Sequence, residues 1–136
     1  MYKLIKTTFT TNQLSIKKLN VKPGNFKLSP GLQRKTGKIK ENVYYTALIL
    51  NIKNTEEHPF PVDMYVDFRG IFEFKDIDNE ESVFEFLKLQ AVHVMFPYLR
   101  SIVTSLSVTA MMPPIVLPVV DVTRLFKDNK NDIFIN

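Results

Sequence analysis

Val62-Asp63-Met64-Tyr65-Val66-Asp67-Phe68 alternates without a break: Val62, Met64, Val66 and Phe68 fall on one side, Asp63, Tyr65 and Asp67 on the other. Side chains of a strand alternate between its faces, so this pattern marks a β-strand with one apolar face. Pro61 to Phe74 forms the whole strand region, with Gly70 inside it. Upstream, Val43 to Ile52 is strongly apolar and rich in β-branched and aromatic residues, a second strand. The turn from Asn54 to Pro59 lies between them, and so short a connection implies antiparallel pairing.

Working outward, Leu4 to Val21 mixes threonines, branched residues and lysines in short alternating runs and reads as strand. Pro23-Gly24 and Pro30-Gly31 then punctuate a loop of about twenty residues carrying Phe26, Leu28 and Leu32. Downstream the period changes. Ser82-Val83-Phe84-Glu85 has the form of a capping box, with Ser82 as cap. Pro97 predicts a kink or a second helix starting there. Leu99, Ile102, Val103 and Leu106 form one apolar helical stripe. Met111-Met112-Pro113-Pro114 ends the helix, and Ile115 to Val120 is extended. Asp121 caps a short terminal helix whose Val122, Leu125 and Phe126 share a face. Strands first and helices last make an α+β domain. A single domain spans residues 1–136: strands and a long loop in 1–81, helices in 82–128, a tail in 129–136.

The 136 residues suffice for one hydrophobic core, and 45% apolar with 24% charged residues is the balance of a folded chain. The absence of cysteine excludes disulfides, thiolate metal sites and a Cys nucleophile. The N-terminus lacks the apolar core of a signal peptide. Glu85, Lys88, His93, Arg100 and four prolines interrupt the most apolar region, Val83 to Val120. A spanning helix needs about 20 mostly apolar residues, so no membrane insertion is expected, and the location is expected to be cytoplasmic. Residues 1–40 hold ten Lys or Arg and no acid, whereas residues 59–136 hold seven basic and eleven acidic residues. Such an arm attracts acidic partners, although lysines on a solvated strand face are the plainer account.

The inventory offers no enzyme. His58 and His93 stand at no metal-ligand spacing, and HExxH, P-loop and GxSxG patterns are missing. His93, in an apolar helical stretch, reads as a structural histidine. Asp76, Asp78, Glu80 and Glu81 lack the glycine and spacing of a calcium loop and read as an acidic turn before a helix. No catalysis, cofactor or metal is therefore expected. What stands out is eleven Phe, five Tyr and five Met. Phe26, Met111, Met112 and Phe134 lie in loops or tails, and flexible apolar surface of this kind suits many partners.

Four segments, in order, resemble the SecB family of protein-export chaperones. Met95-Phe96-Pro97-Tyr98-Leu99-Arg100-Ser101-Ile102-Val103-Thr104-Ser105-Leu106 is similar to the family's signature helix, with its Phe-Pro-Tyr-x-Arg start and later Thr-Ser pair. Arg69-Gly70-Ile71-Phe72 looks like its Gly-Gly-Ile-Phe segment. Pro114-Ile115-Val116-Leu117-Pro118 and Leu125-Phe126 fall at the spacing of its extended stretch and terminal helix. Residues 43–126 are covered, and the first forty match in pattern only.

The resemblance implies four antiparallel strands backed by helices, assembled as a dimer of dimers. It places Met64, Val66 and Phe68, with Leu99, Ile102, Val103 and Leu106, in cores and subunit interfaces. It implies that unfolded client proteins bind apolar grooves through Val62, Leu125, Phe126 and, more loosely, Phe26, Leu28 and Leu32. The family's acidic docking face for the SecA motor corresponds to Gln13, Lys17, Asp63 and Tyr65, where one acid remains. Its acidic tail is replaced by a segment running from Lys127 to Asn136. Export chaperoning is the first reading. A chaperone dedicated to one client, such as an antitoxin, without SecA is the second. A nucleic-acid-binding domain using the basic arm is the third, disfavoured because the arm has few aromatics and no RNA-binding signature.

Overall fold

The computed structural model describes residues 1–21 and 24–118 in full and residues 132–134 as backbone. Four long strands, β1 (Lys3–Lys18), β2 (Gly31–Lys40), β3 (Val43–Ile52) and β4 (Val62–Lys75), precede helices α1 (Glu80–Lys88) and α2 (Gln90–Thr109). A three-residue strand, β5 (Asp132–Phe134), follows. All pairings are antiparallel, in the order β1-β4-β3-β2-β5. The four expected strands are present, and β5, expected as tail, adds a fifth at the edge.

The alternation of β4 sets the layers. Val62, Met64, Val66 and Phe68, with Phe72 and Phe74, are buried beneath Val83 and Leu87 of α1 and Ala91, Val92, Met95, Leu99 and Val103 of α2. Each fully buried large side chain contributes about 1.5–3 kcal/mol, so this face dominates the stability. At Gly70 a Cβ would stand 2.9 Å from the Phe72 ring and 3.0 Å from the Met95 sulfur. Glycine there lets α2 lie close to the sheet. By length and composition alone, residues 80–109 resemble a membrane-crossing helix. In the fold they lie on the sheet.

Four readings of the sequence need correction. The residues from Gly31 onward are not loop. They pair with β3 from Gly31↔Asn51 to Lys40↔Val43, and only 19–30 connect β1 to β2. Gly37 hid this strand: a Cβ there would come within 2.6 Å of the Tyr45 ring, so the gap in the pattern is a close approach across the pair. Leu32, assigned to the loop, is buried in the core from β2.

The helix begins earlier than the capping box suggested. Asn79 is the cap, its Oδ1 accepting from Glu81 N–H at 3.0 Å, while Ser82 Oγ donates to Asn79 O at 2.6 Å. This end of α1 is tied to the β2–β3 hairpin through Glu80 Oε2, which accepts from the Tyr44 hydroxyl at 2.6 Å and from Lys38 Nζ at 3.1 Å. Those two contacts, the Tyr44 bond foremost, hold the Glu80 carboxyl below its ordinary range.

The helical break falls at Leu89, and Pro97 sits inside α2. Strand side chains capture the carbonyls freed at the break: Thr46 Oγ1 donates to Leu87 O at 2.8 Å, and Arg34 Nη1 donates to Lys88 O at 2.6 Å. A sequence window cannot see capping groups supplied from strands forty residues away. Finally, His93 is exposed on α2 rather than structural within the core. Asp121, Val122, Leu125 and Phe126 lie outside the described residues.

Candidate functional site

Beyond α2 the chain turns sharply and runs back along the helix. Ala110 N–H and Met112 N–H donate to Leu106 O and Ser107 O, and Met111 between them takes a positive φ of 60° with 88% of its surface exposed. Residues 113–118 are then extended, as their prolines require. Polar side chains of α2 fix this segment. Arg100 Nε donates to Leu117 O at 3.0 Å, and Thr104 Oγ1 donates to Ile115 O at 2.8 Å. Ser107 Oγ accepts from Ile115 N–H at 2.9 Å and donates to Thr104 O at 2.7 Å. Ile115 and Leu117 are thereby buried, while Val116 faces outward.

The 113–118 segment is one wall of an open apolar cleft of about 510 Å³. The rest of the lining comes from the 19–30 loop through Phe26 and Leu28, and from Phe60, Pro61 and Met112. The Phe26 ring meets Phe60 edge-on, with centroids 6.3 Å apart, and Leu19 N–H donates to Pro61 O at 2.8 Å to anchor the loop. Among the described residues, no ionisable side chain lines the cleft. A lining of this kind suits the burial of apolar side chains. Among the described residues no cluster of three or more His, Asp or Glu could hold a metal ion.

The family model for preprotein translocase subunit SecB matches residues 10–132, nearly the whole chain. The chain belongs to the SecB family. It is 30% identical over 80 residues to an uncharacterized protein of Methanocaldococcus jannaschii, covering 57% of this chain and 51% of that one. It is 26% identical over 85 residues to the protein-export protein SecB of Anaplasma marginale, covering 62% and 49%. The chain thus spans about half the length of these relatives. Among solved structures it is similar to a SecB-like chaperone of Mycobacterium tuberculosis in complex with a ChAD peptide from the HigA1 antitoxin. There the TM-score is 0.66 at 12% identity, with 88% of each chain covered, which supports the SecB fold.

In this SecB chain, Phe26 and Leu28 line the cleft, whereas Leu32 and Val62 lie in the core. Leu125 and Phe126 lie outside the described residues. Met112, singled out in the sequence as loop apolar surface, lines the cleft, and Phe60, Ile115 and Val116 are cleft residues the sequence reading did not assign. The Met112-to-Val116 run between prolines was the available signal. Met64, Val66, Phe68, Leu99 and Val103 are buried by the chain's own packing, and Ile102 and Leu106 pack against the same core. The exposed stripe of α2 is instead Val94, Tyr98, Ser101, Ser105 and Val108, spaced by three and four.

Gln13, Lys17, Asp63 and Tyr65 come together on the sheet face away from the helices, where Lys17 pairs in register with Asp63 and Ser15 with Tyr65. The acids there are engaged. Asp63 Oδ1 accepts from Asn54 N–H at 2.9 Å. Asp67 accepts from Arg69 at 3.0 and 3.1 Å and from Asn12 Nδ2 at 3.3 Å. The bond to Asp67 raises the Arg69 pKa, and its guanidinium lies 5.3 Å from the Tyr45 ring centre. Within this patch Lys17 and Arg69 offset Asp63 and Asp67.

Removing the Ser107 hydroxyl with Ser107→Ala leaves the buried Ile115 N–H without its acceptor. An unsatisfied buried donor costs about 1–3 kcal/mol, so the unfolding free energy should fall by that much and the urea midpoint with it. An unchanged midpoint would show that the segment is held by its apolar residues alone.

Proposed function

We propose that this chain is a non-enzymatic chaperone that binds unfolded polypeptides in the cleft between the 19–30 loop and the 113–118 segment. The observation that carries this reading is an open cleft on a SecB fold whose described lining is mainly apolar, with aromatic and methionine side chains and no charged one. Each client side chain buried there contributes on the order of 1.5–3 kcal/mol, and several sites engaging one chain add through effective concentration. No nucleotide, metal or other cofactor enters this reading.

A homotetramer, arranged as a dimer of dimers, would supply those several sites. Two surfaces fit a second copy. β1 is a sixteen-residue edge strand with Leu4, Ile5 and Leu14 exposed, and α2 carries the Val94–Tyr98–Val108 stripe with serines between. The interface thus moves round the helix from the stripe first assigned.

A role in export, with transfer to SecA, is the family reading. The outer sheet, where Lys17 and Arg69 offset Asp63 and Asp67, favours the second reading, a chaperone serving a dedicated client such as an antitoxin, because it offers no acidic docking face.

Refolding of a chemically denatured reporter enzyme should be arrested by stoichiometric protein in 0.5 M salt, without ATP and in the presence of chelator. Loss of arrest at high salt would move capture to the lysines and support the nucleic-acid-type reading. A requirement for ATP or a metal would end the proposal.

A further inference from the structure

We infer that one half of the sheet face away from the helices is a docking surface for an acidic protein segment, separate from the cleft and independent of the chaperone reading.

The strand registers lay out this half row by row. Lys3 of β1 stands opposite Lys75 of β4. In the next row Glu73 lies between Lys6 and Val43, and Val43 in turn pairs with Lys40 of β2. Ile71, Tyr45 and Gly37 follow, and then Arg69, Ala47 and Lys35. Lys3, Lys35, Lys40 and Lys75 are exposed, and Ile71 and Tyr45 among them are half-buried.

Lysines on a solvated strand usually carry no message, but here the acids that could balance them are committed elsewhere. Glu73 pairs with Lys6 at 3.9 Å and Asp67 with Arg69 at 3.0 Å. Glu41 and Glu80 both pair with Lys38, at 3.6 and 3.1 Å, and Asp78 holds the N-terminal ammonium. Among the described residues no ion pair engages Lys3, Lys35, Lys40 or Lys75. Like charges directly opposite on a sheet repel, so the Lys3–Lys75 pair costs the free protein stability that an anionic partner would restore.

The centre of this half favours protein over nucleic acid. Ile71 offers aliphatic surface to an apolar side chain. The Tyr45 ring is already taken up: a Cβ at Gly37 would come within 2.6 Å of it, and the Arg69 guanidinium lies 5.3 Å from its centre. Single-strand binding relies on open aromatic faces for base stacking, and this ring has little to spare. A segment in which carboxylates alternate with apolar side chains matches both the lysines and the Ile71 surface. On β4, β3 and β2 this face lies apart from the α2 stripe and the β1 edge proposed for a second copy, so such an assembly would leave it accessible.

The test titrates the full chain, in about 50 mM salt, with a synthetic peptide alternating Glu with Val, and with the same peptide carrying Lys for Glu. The acidic peptide should bind and the basic one should not. Lys35→Glu, Lys40→Glu and Lys75→Glu together should weaken the acidic peptide by about tenfold or more, with the circular dichroism spectrum unchanged because all three side chains are exposed. The corresponding Lys→Gln triple variant should show a smaller loss. Bound peptide should shield these lysines from acetylation, read by mass spectrometry. Equal affinity in parent and charge-reversed variant, or no shielding, overturns the proposal. Tighter binding of oligothymidylate through the same lysines also overturns it, making the face a nucleic-acid site. Refolding arrest of the reporter enzyme should be unaffected in the charge-reversed variant. Its loss there would make this face part of the client site and overturn its separateness from the cleft.

Discussion

Replacing Phe26 and Met112 together with alanine is expected to weaken binding of an unfolded client by about a hundredfold, with the fold intact. Both side chains line the cleft and are only half-buried. Truncating a core Phe costs about 3–5 kcal/mol. A groove residue already meets water in the free state, so the loss per site should be nearer 1.4 kcal/mol, or tenfold. The two side chains come from different segments of the lining, so each substitution removes its own contact with the client. The oligomer and thermal midpoint are the controls, since Phe26 also packs on Phe60. Affinity measured by fluorescence anisotropy should stay low at every ionic strength. If the double variant binds as tightly as the parent, the cleft is not the client site.

Val94→Glu is expected to disperse the assembly while leaving each subunit folded. Val94 is 50% exposed in the single chain, and a substitution at such a position changes folding stability by about 0.5 kcal/mol or less. Placed in a two-fold interface the charge occurs twice. Each buried, unpaired carboxylate costs about 3–5 kcal/mol, so the dissociation constant should rise at least about ten-thousandfold. Sedimentation velocity at micromolar concentration would read the change directly. A parent that sediments as a monomer, or a variant that keeps the parent's mass, would remove this helix face from the interface. Val103→Glu is the contrasting case: it enters the chain's own core and should unfold the subunit.

The sequence made the centre of the fold plain because β4 alternates cleanly and α2 carries a long apolar stripe. Both signals are local, and local periodicity survives in a single chain. The elements misread were those whose signals are supplied by distant partners. β2 alternates weakly because Gly37 yields its space to Tyr45. The break at Leu89 depends on Thr46 and Arg34, and Pro97, the obvious breaker, is tolerated within α2. At the site, Phe26 and Leu28 were visible as apolar residues where a loop should be polar. The roles of Arg100, Thr104 and Ser107 were not. The signature helix was recognisable as a pattern, but what its polar residues grip becomes apparent only when the chain doubles back.

That doubling back determines where the entropy of capture falls. The 113–118 wall contains three prolines, which restrict the unfolded backbone, and its carbonyls and amide are already bonded to α2. It is extended before any guest arrives and has little freedom left to lose. The ordering penalty of binding therefore rests almost wholly on the client, at about 1–2 kcal/mol for each backbone residue held. A segment that is already structured has its apolar side chains committed elsewhere, and a long flexible one can engage a few residues at a time. In the proposed mode of capture, a rigid wall of this kind would select guests by their lack of structure, with no sequence code to read.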